Sequence, residues 1–325
     1  MPDNISVLPS DDLQPGPNCP SAWLGGKESH LKAIHIGSTT NSSYECPAVP
    51  LEGIKVWENF LDRDSVNEIR DFLLKNPLIH RRLCEDFTDQ QLKEFPWGPS
   101  VQGPIINEQS FERQWSPIIT GINIIVGICH KAMQSQADPI YCIIGDGGAA
   151  RKKEPDAPKQ TYRKKPDLST FETQPPSKKF KPDEINNRIP GDAKLSAKIS
   201  RAMLPPDGER WLAMKYNEKD EVQKVMNQIY DYMDQHGARY GYVVNDEELI
   251  FFRRRGTGWG HMDVGPAIRH DVDADLERAI MTPKYVLFYF LMAIAPYKDK
   301  WHLPSNRKDV QHRRNARRSV RTKVK

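Results

Sequence analysis

The sequence predicts an α/β fold in which a mixed sheet is flanked by helices, and three observations predict it. Apolar residues recur at helical spacing from Glu108 to Met133, from Lys219 to Gln235 and from Thr282 to Ala295. Short runs rich in Ile, Val, Tyr and Phe lie between them, and Gly, Pro, Asn and Asp punctuate the joins.

Residues 1–50 are rich in Pro, Ser, Asn and Gly without sustained periodicity and are expected to be disordered. The first folded element is expected near Val56, opening a helical extension over 51–107. Within it Val66, Ile69, Phe72 and Leu73 share one helical stripe, with Asp64 or Ser65 as cap. The core proper, 108–304, starts with a long helix carrying Phe111, Trp115, Ile118, Ile119, Ile122, Ile125, Val126 and Cys129. Pro117 is expected to kink it or delay its start.

Pro139 to Ile144 reads as a short buried strand that ends in the turn Gly145-Asp146-Gly147-Gly148. A basic, proline-rich insertion, 149–187, follows. Inside it Asp167-Leu168-Ser169-Thr170-Phe171 mixes apolar and polar residues as a strand does. Arg188 onward resumes the ordered pattern, while 209–215 fits neither state. Val222, Val225, Met226, Ile229, Tyr230 and Met233 are helically spaced, with His236-Gly237 as the stop. Two strands, 238–244 and 248–254, joined at Asn245-Asp246-Glu247, precede a last helix capped by Thr282 and Pro283.

The net charge of +4 is unevenly placed. Arg307 to Lys325 holds nine Lys or Arg and one Asp, so the rest of the chain must carry −4. Five cysteines, odd in number and never spaced C-x-x-C, argue against a disulfide framework and a zinc site and fit a reducing compartment. Met1 to Pro17 lacks the basic start and apolar run of a signal peptide. Tyr285 to Ala295, read as the most apolar segment, is half the length a bilayer requires. No membrane partner is expected.

The chemistry concentrates at Asp192-Ala193-Lys194. Residues two apart on a strand project to one face, so the carboxylate and the ammonium converge. The first can bind a divalent ion and the second can steady a water or a phosphate oxygen. Taken alone, Asp-x-Lys reads as a salt bridge at a strand end. Its context gives it weight: a Pro-Asp dipeptide entering a strand, Pro190-Gly191-Asp192-Ala193-Lys194, Gln228-Ile229-Tyr230-Asp231-Tyr232 on the following helix, and Ala238 to Leu249 beyond it.

With these motifs the chain resembles the PD-(D/E)XK nuclease superfamily over 108–298, in particular the nuclease-like proteins found in many copies in fungal genomes. The resemblance implies a restriction-endonuclease-like mixed sheet flanked by helices. It also implies a magnesium ion held by Asp192 and the Pro-Asp aspartate, with Lys194 orienting or helping to deprotonate the attacking water. Asp167 is favoured as that aspartate because Leu168 and Phe171 can anchor a strand behind it; Asp156 is the reserve, and Asp183 lies in a Lys-rich, apolar-poor stretch. Gln228 and Tyr232 match the Gln-x-x-x-Tyr pattern of RecB-like members, where both residues border the site. A glutamate from the first core helix often joins the set, and Glu112, with Glu108 behind it, is the candidate. The expected activity is hydrolysis of phosphodiesters in DNA. The alternative is an inactive nuclease-like module that binds nucleic acid or a protein.

Other pairs carry less. His261-Met262-Asp263 and His270-Asp271 read as hydrogen-bonded loops, and Arg253-Arg254-Arg255 as a charged strand end or a phosphate-binding rim. Pro176 to Lys181 resembles a short import signal. With the basic tail, 305–325, it leads to the expectation of a nuclear protein that meets nucleic acid through charge.

Overall fold

Of the 325 residues, the computed structural model describes 19–28, 31, 53–60, 62–88, 105–134, 140–147, 166–173, 185–204, 216–256, 260–275 and 277–304. In chain order the elements are α1 (Pro20–Gly25), β1 (Gly53–Val56), α2 (Arg63–Lys75), α3 (Pro77–Cys84), α4 (Glu108–Gln134), β2 (Cys142–Asp146), β3 (Leu168–Glu172) and β4 (Gly191–Ala193). Then follow α5 (Tyr216–His236), β5 (Tyr240–Val244), β6 (Glu248–Arg254), β7 (His261–Arg269), α6 (Pro283–Tyr289) and α7 (Lys298–Trp301). The seven strands form one mixed sheet in the order β1-β7-β6-β5-β4-β3-β2. Among the described strands, only β1 with β7 and β4 with β5 pair in parallel. The rest are antiparallel.

Helix α5 covers one face. Its Val222, Val225, Met226, Ile229 and Met233 join Val243, Ile250, Phe252, Met262 and Val264 in one buried cluster. The opposite face, with Tyr242, Val244, Leu249 and Phe251, is packed by α4 and α6. Every apolar residue read onto the α4 stripe is buried. Each such Ile or Phe stabilises by about 1.5–3 kcal/mol. That outweighs the ~3 kcal/mol cost of an interior proline, so Pro117 sits inside the helix and does not delay its start at Glu108. The most apolar stretch of α4 has the length and composition to cross a bilayer, with mean hydropathy 1.3, and half of it is buried within the fold. Asn123 on this helix also closes the outer edge of the sheet, donating to Ile144 O at 2.7 Å and accepting from Ile144 N at 2.9 Å.

Four sequence expectations need correction. Residues 19–28 and 31 belong to the fold: Cys19 caps α1, Pro20 starts it, and Leu24 and Leu31 are fully buried. Six residues are too few to display a period. The extension over 51–107 is not purely helical, since β1 forms the edge of the sheet beside β7. His261-Met262-Asp263 is the start of strand β7, not a loop, and its Asp263 is paired with Arg253. Gly265-Pro266 disguises this strand. The β6–β7 register shifts between Ile250 and Phe252, opposite that stretch, where a missing proline N–H is tolerated. Finally, the insertion ends earlier than 187, because Asn187 is fully buried and hydrogen-bonded to β3. The segment 209–215 lies outside the described residues, as do most of 1–50, 151–165, 174–184 and the basic tail.

Candidate active site

Register brings the two aspartates together. Leu168 on β3 pairs with Gly191 on β4 in antiparallel fashion, so Asp167 and Asp192 are the next cross-strand neighbours. Two glycine contacts make this possible. A Cβ on Gly191 would lie 2.2 Å from the Tyr242 ring, and one on Gly147 would lie 1.4 Å from Pro166 O. Gly147 N also donates to Asp167 O at 2.9 Å, which fixes the backbone where the Pro-Asp dipeptide enters β3.

Asn187 holds the other side of this short ladder. Its Oδ1 accepts from Thr170 N at 2.9 Å, its Nδ2 donates to Ser169 Oγ at 3.0 Å, and Thr170 Oγ1 donates to Ile189 O at 3.0 Å. These bonds replace strand pairing that β4, three residues long, is too short to supply. The turn after the motif is tethered as well. Ser196 donates from N and Oγ to the Asp246 carboxylate at 2.7 and 2.9 Å, and Lys198 reaches Glu108 at 2.9 Å.

Lys194 lies between the carboxylates. Its Nζ is 2.8 Å from Asp192 Oδ2 and 3.4 Å from Asp167 Oδ2, and it donates to Ala193 O at 3.1 Å. Asp167 Oδ2 also accepts from Ala193 N at 3.0 Å. Asp192 is fully buried, yet neither of its oxygens accepts a well-aligned hydrogen bond. A buried carboxylate so placed is costly unless a cation faces it.

The charges follow from this geometry. Burial, reinforced by the Asp167 charge, pushes the Asp192 carboxyl well above the ordinary aspartate range, and Lys194 only partly offsets that. For Asp167, burial works in the same direction, but Lys194 and the Ala193 N–H outweigh it and hold the carboxyl low. Lys194 is held above the usual lysine range, since Asp192 and Asp167 outweigh the burial that opposes its charge.

The sign of the resulting pH dependence is fixed. Between the ordinary aspartate value of 3.8 and the raised Asp192 value, the native state keeps a proton that the unfolded chain has released. Metal-free stability therefore falls as pH rises through that window, by at most about 1.4 kcal/mol per pH unit. Asp167 acts in the opposite sense and only in acid: its contribution is present above the ordinary value and is lost as pH falls through its depressed one. Melting temperatures measured in chelator at successive pH values above 4 should decline for the wild type and less steeply for Asp192→Asn. Parallel profiles for the two proteins would refute the assignment of the proton to Asp192.

Three further residues that the sequence singled out gather here. Gln228 Nε2 donates to Tyr232 Oη at 2.7 Å, both side chains are buried, and burial followed by the Asp192 charge raises the Tyr232 hydroxyl. Glu112 on α4 is raised by burial and then by the Asp167 charge, which puts it within electrostatic reach of the same centre. Asp156 and Asp183 lie outside the described residues. Sequence reasoning missed Asn187 and the packing role of Gly147, because both act only through the register of β3 against its neighbours. Pro-Asp preceded by a glycine-rich turn was the one available signal.

Among the described residues, no group of three or more His, Cys, Asp or Glu side chains stands close enough together to hold a metal ion. Asp167 and Asp192 could still serve an ion of the magnesium type, which is commonly bound by one or two carboxylates and keeps several waters. Asp192, fully buried, with no well-aligned hydrogen bond and with Lys194 as its facing cation, fits that role. No family model, curated protein or solved structure matches the chain.

Proposed function

We propose that this chain is a magnesium-dependent nuclease with a restriction-endonuclease-like core of the PD-(D/E)XK type. The observation that carries the reading is the cross-strand pair Asp167 and Asp192 with Lys194 between them. The order α4-β2-β3-β4-α5-β5, with β4 and β5 parallel, supports it, because that connectivity presents the ends of β3 and β4 to one centre.

In this reading Asp167 and Asp192 hold the ion, which when bound offsets charge on the scissile phosphate. Lys194 sits where it can hold a water or a phosphate oxygen beside Asp192. Gln228 and Tyr232, locked together by their hydrogen bond, line the α5 side, and Glu112 adds negative charge from α4. Because water is largely excluded around Asp192, each of these charges acts at lower dielectric than it would at the surface. DNA as substrate and the nucleus as location rest on the basic segments at 176–181 and 305–325.

A second reading, a binding module that no longer hydrolyses, is favoured by two observations: Lys194 already pairs with both carboxylates, and no third ligand completes a metal cluster among the described residues. Incubating the full chain with supercoiled plasmid and magnesium separates the two. The nuclease reading expects nicked or linear product, none in chelator, and none from Asp192→Asn. Plasmid that stays supercoiled with the wild type, but is retarded on a gel, would select the binding module.

A further inference from the structure

A second concave site lies elsewhere on the sheet. A cleft of ≈ 740 Å³ is lined by Lys55, Trp57, Arg239, Arg253, Arg255 and Asp263, among others. It is separate from the aspartate centre. Tyr240, the register partner of Arg253, precedes Val243, the partner of Asp192, by three residues. That is about 10 Å along the strand, and alternation turns Arg253 to the face away from Asp192.

The cleft is built around one carboxylate and a surplus of cations. Asp263 Oδ2 accepts from Arg253 Nε and Nη2 at 3.0 and 2.7 Å, and Asp263 Oδ1 accepts from Arg255. The Arg253 guanidinium lies 4.4 Å over the Trp57 ring, which is in turn stacked on Tyr240 at 5.7 Å. Both arginines are thereby held in place while remaining partly exposed, with side-chain exposures of 38% and 27%. Arg254 is spent on the buried Asp234. Among the described residues neither Lys55 nor Arg239 forms an ion pair, so with Glu58 on the rim the lining, counted together with Asp234, keeps a surplus of two positive charges.

We propose that this cleft binds a phosphate-bearing ligand through charge and guanidinium donors. The guanidinium N–H groups not turned to Asp263 can donate to the oxygens of a tetrahedral phosphate, and two uncompensated charges match a diphosphate or two consecutive backbone phosphates. The Trp57 ring already packs against Arg253, Tyr240 and Phe60, so the site reads phosphate and not a stacked base. The phosphate can belong to a nucleic-acid backbone or to a free polyphosphate, and the chemistry is common to both.

Calorimetric titration of the full chain with inorganic pyrophosphate at low salt tests this. The wild type should bind it, Lys55→Ala/Arg239→Ala should weaken binding at least about tenfold, and Asp192→Asn should leave it unchanged within twofold. The last arm keeps this site independent of the hydrolytic reading. Should the double variant lose its fold, Lys55→Glu alone, at an exposed position, is expected to weaken binding at least about fivefold. Absence of binding by the wild type overturns the proposal. So does binding that survives the double variant, which would belong to the basic tail. Adding an oligonucleotide of about twelve residues then assigns the source: displacement of pyrophosphate means a nucleic-acid backbone, and retention means a free phosphate ligand.

Discussion

Lys194→Ala should cleave plasmid at least about 100-fold more slowly than the wild type, yet bind magnesium more tightly. The two effects have one cause. The ammonium 2.8 Å from Asp192 and 3.4 Å from Asp167 competes with any cation for the same oxygens. Removing it relieves a repulsion of order a few kcal/mol, while also removing the group that would hold the water or phosphate oxygen. A merely structural lysine would not divide the two readouts in this way. Breaking a buried pair can cost about 3–5 kcal/mol, so the comparison is made well below the melting temperature with circular dichroism as a check. Wild-type cleavage would show that Lys194 does not hold the water or phosphate oxygen, and weaker magnesium binding measured by calorimetry would show that Asp167 and Asp192 are not the ion's ligands.

Gly191→Ala should lower the melting temperature by several degrees and abolish cleavage together. The added methyl would stand 2.2 Å from the Tyr242 ring, which is fully buried and packed against Phe251 with centroids 5.5 Å apart. Neither partner can give way cheaply, so β4 must shift. Overpacking of this kind costs about 1–3 kcal/mol, and a shift of β4 carries Asp192 with it. Gly256→Ala is the control, because its nearest neighbour is Leu303 at an ordinary 3.7 Å. A Gly191→Ala protein as stable as the control would mean that the close approach of β4 to Tyr242 is not a real constraint.

The long elements were legible in the sequence because their patterns repeat. Helices α4 and α5 each show several turns of apolar spacing, and β5–β6 joins two β-rich runs across a turn in which Asn245 Oδ1 accepts from Glu247 N and Glu248 N. Gly237, read as the stop of α5, does sit in the left-handed region at φ +62. Strands β1 and β7 were not legible. One is four residues long, and the other contains Gly265, whose missing side chain makes room for the Phe60 ring, followed by Pro266.

At the site, the pairing of Asp192 with Lys194 follows from strand alternation alone, and the preference for Asp167 rested on Leu168 and Phe171. Phe171 is indeed buried, and Leu168 packs against the main core. What could not be read was the cross-strand register, which depends on Asn187, Thr170 and Gly147 meeting across gaps of about twenty residues.

The contact between Gly147 and the Pro166-Asp167 backbone has a consequence for how this chain can change. The polypeptide leaves the sheet after Gly147 and returns at Pro166 at virtually the same point, with Gly147 N bonded to Asp167 O. The entropic cost of joining two such anchors grows only with the logarithm of the length of chain between them. Asp167 is thereby anchored from within the sheet, by Gly147, and its place does not depend on how long a chain joins the two.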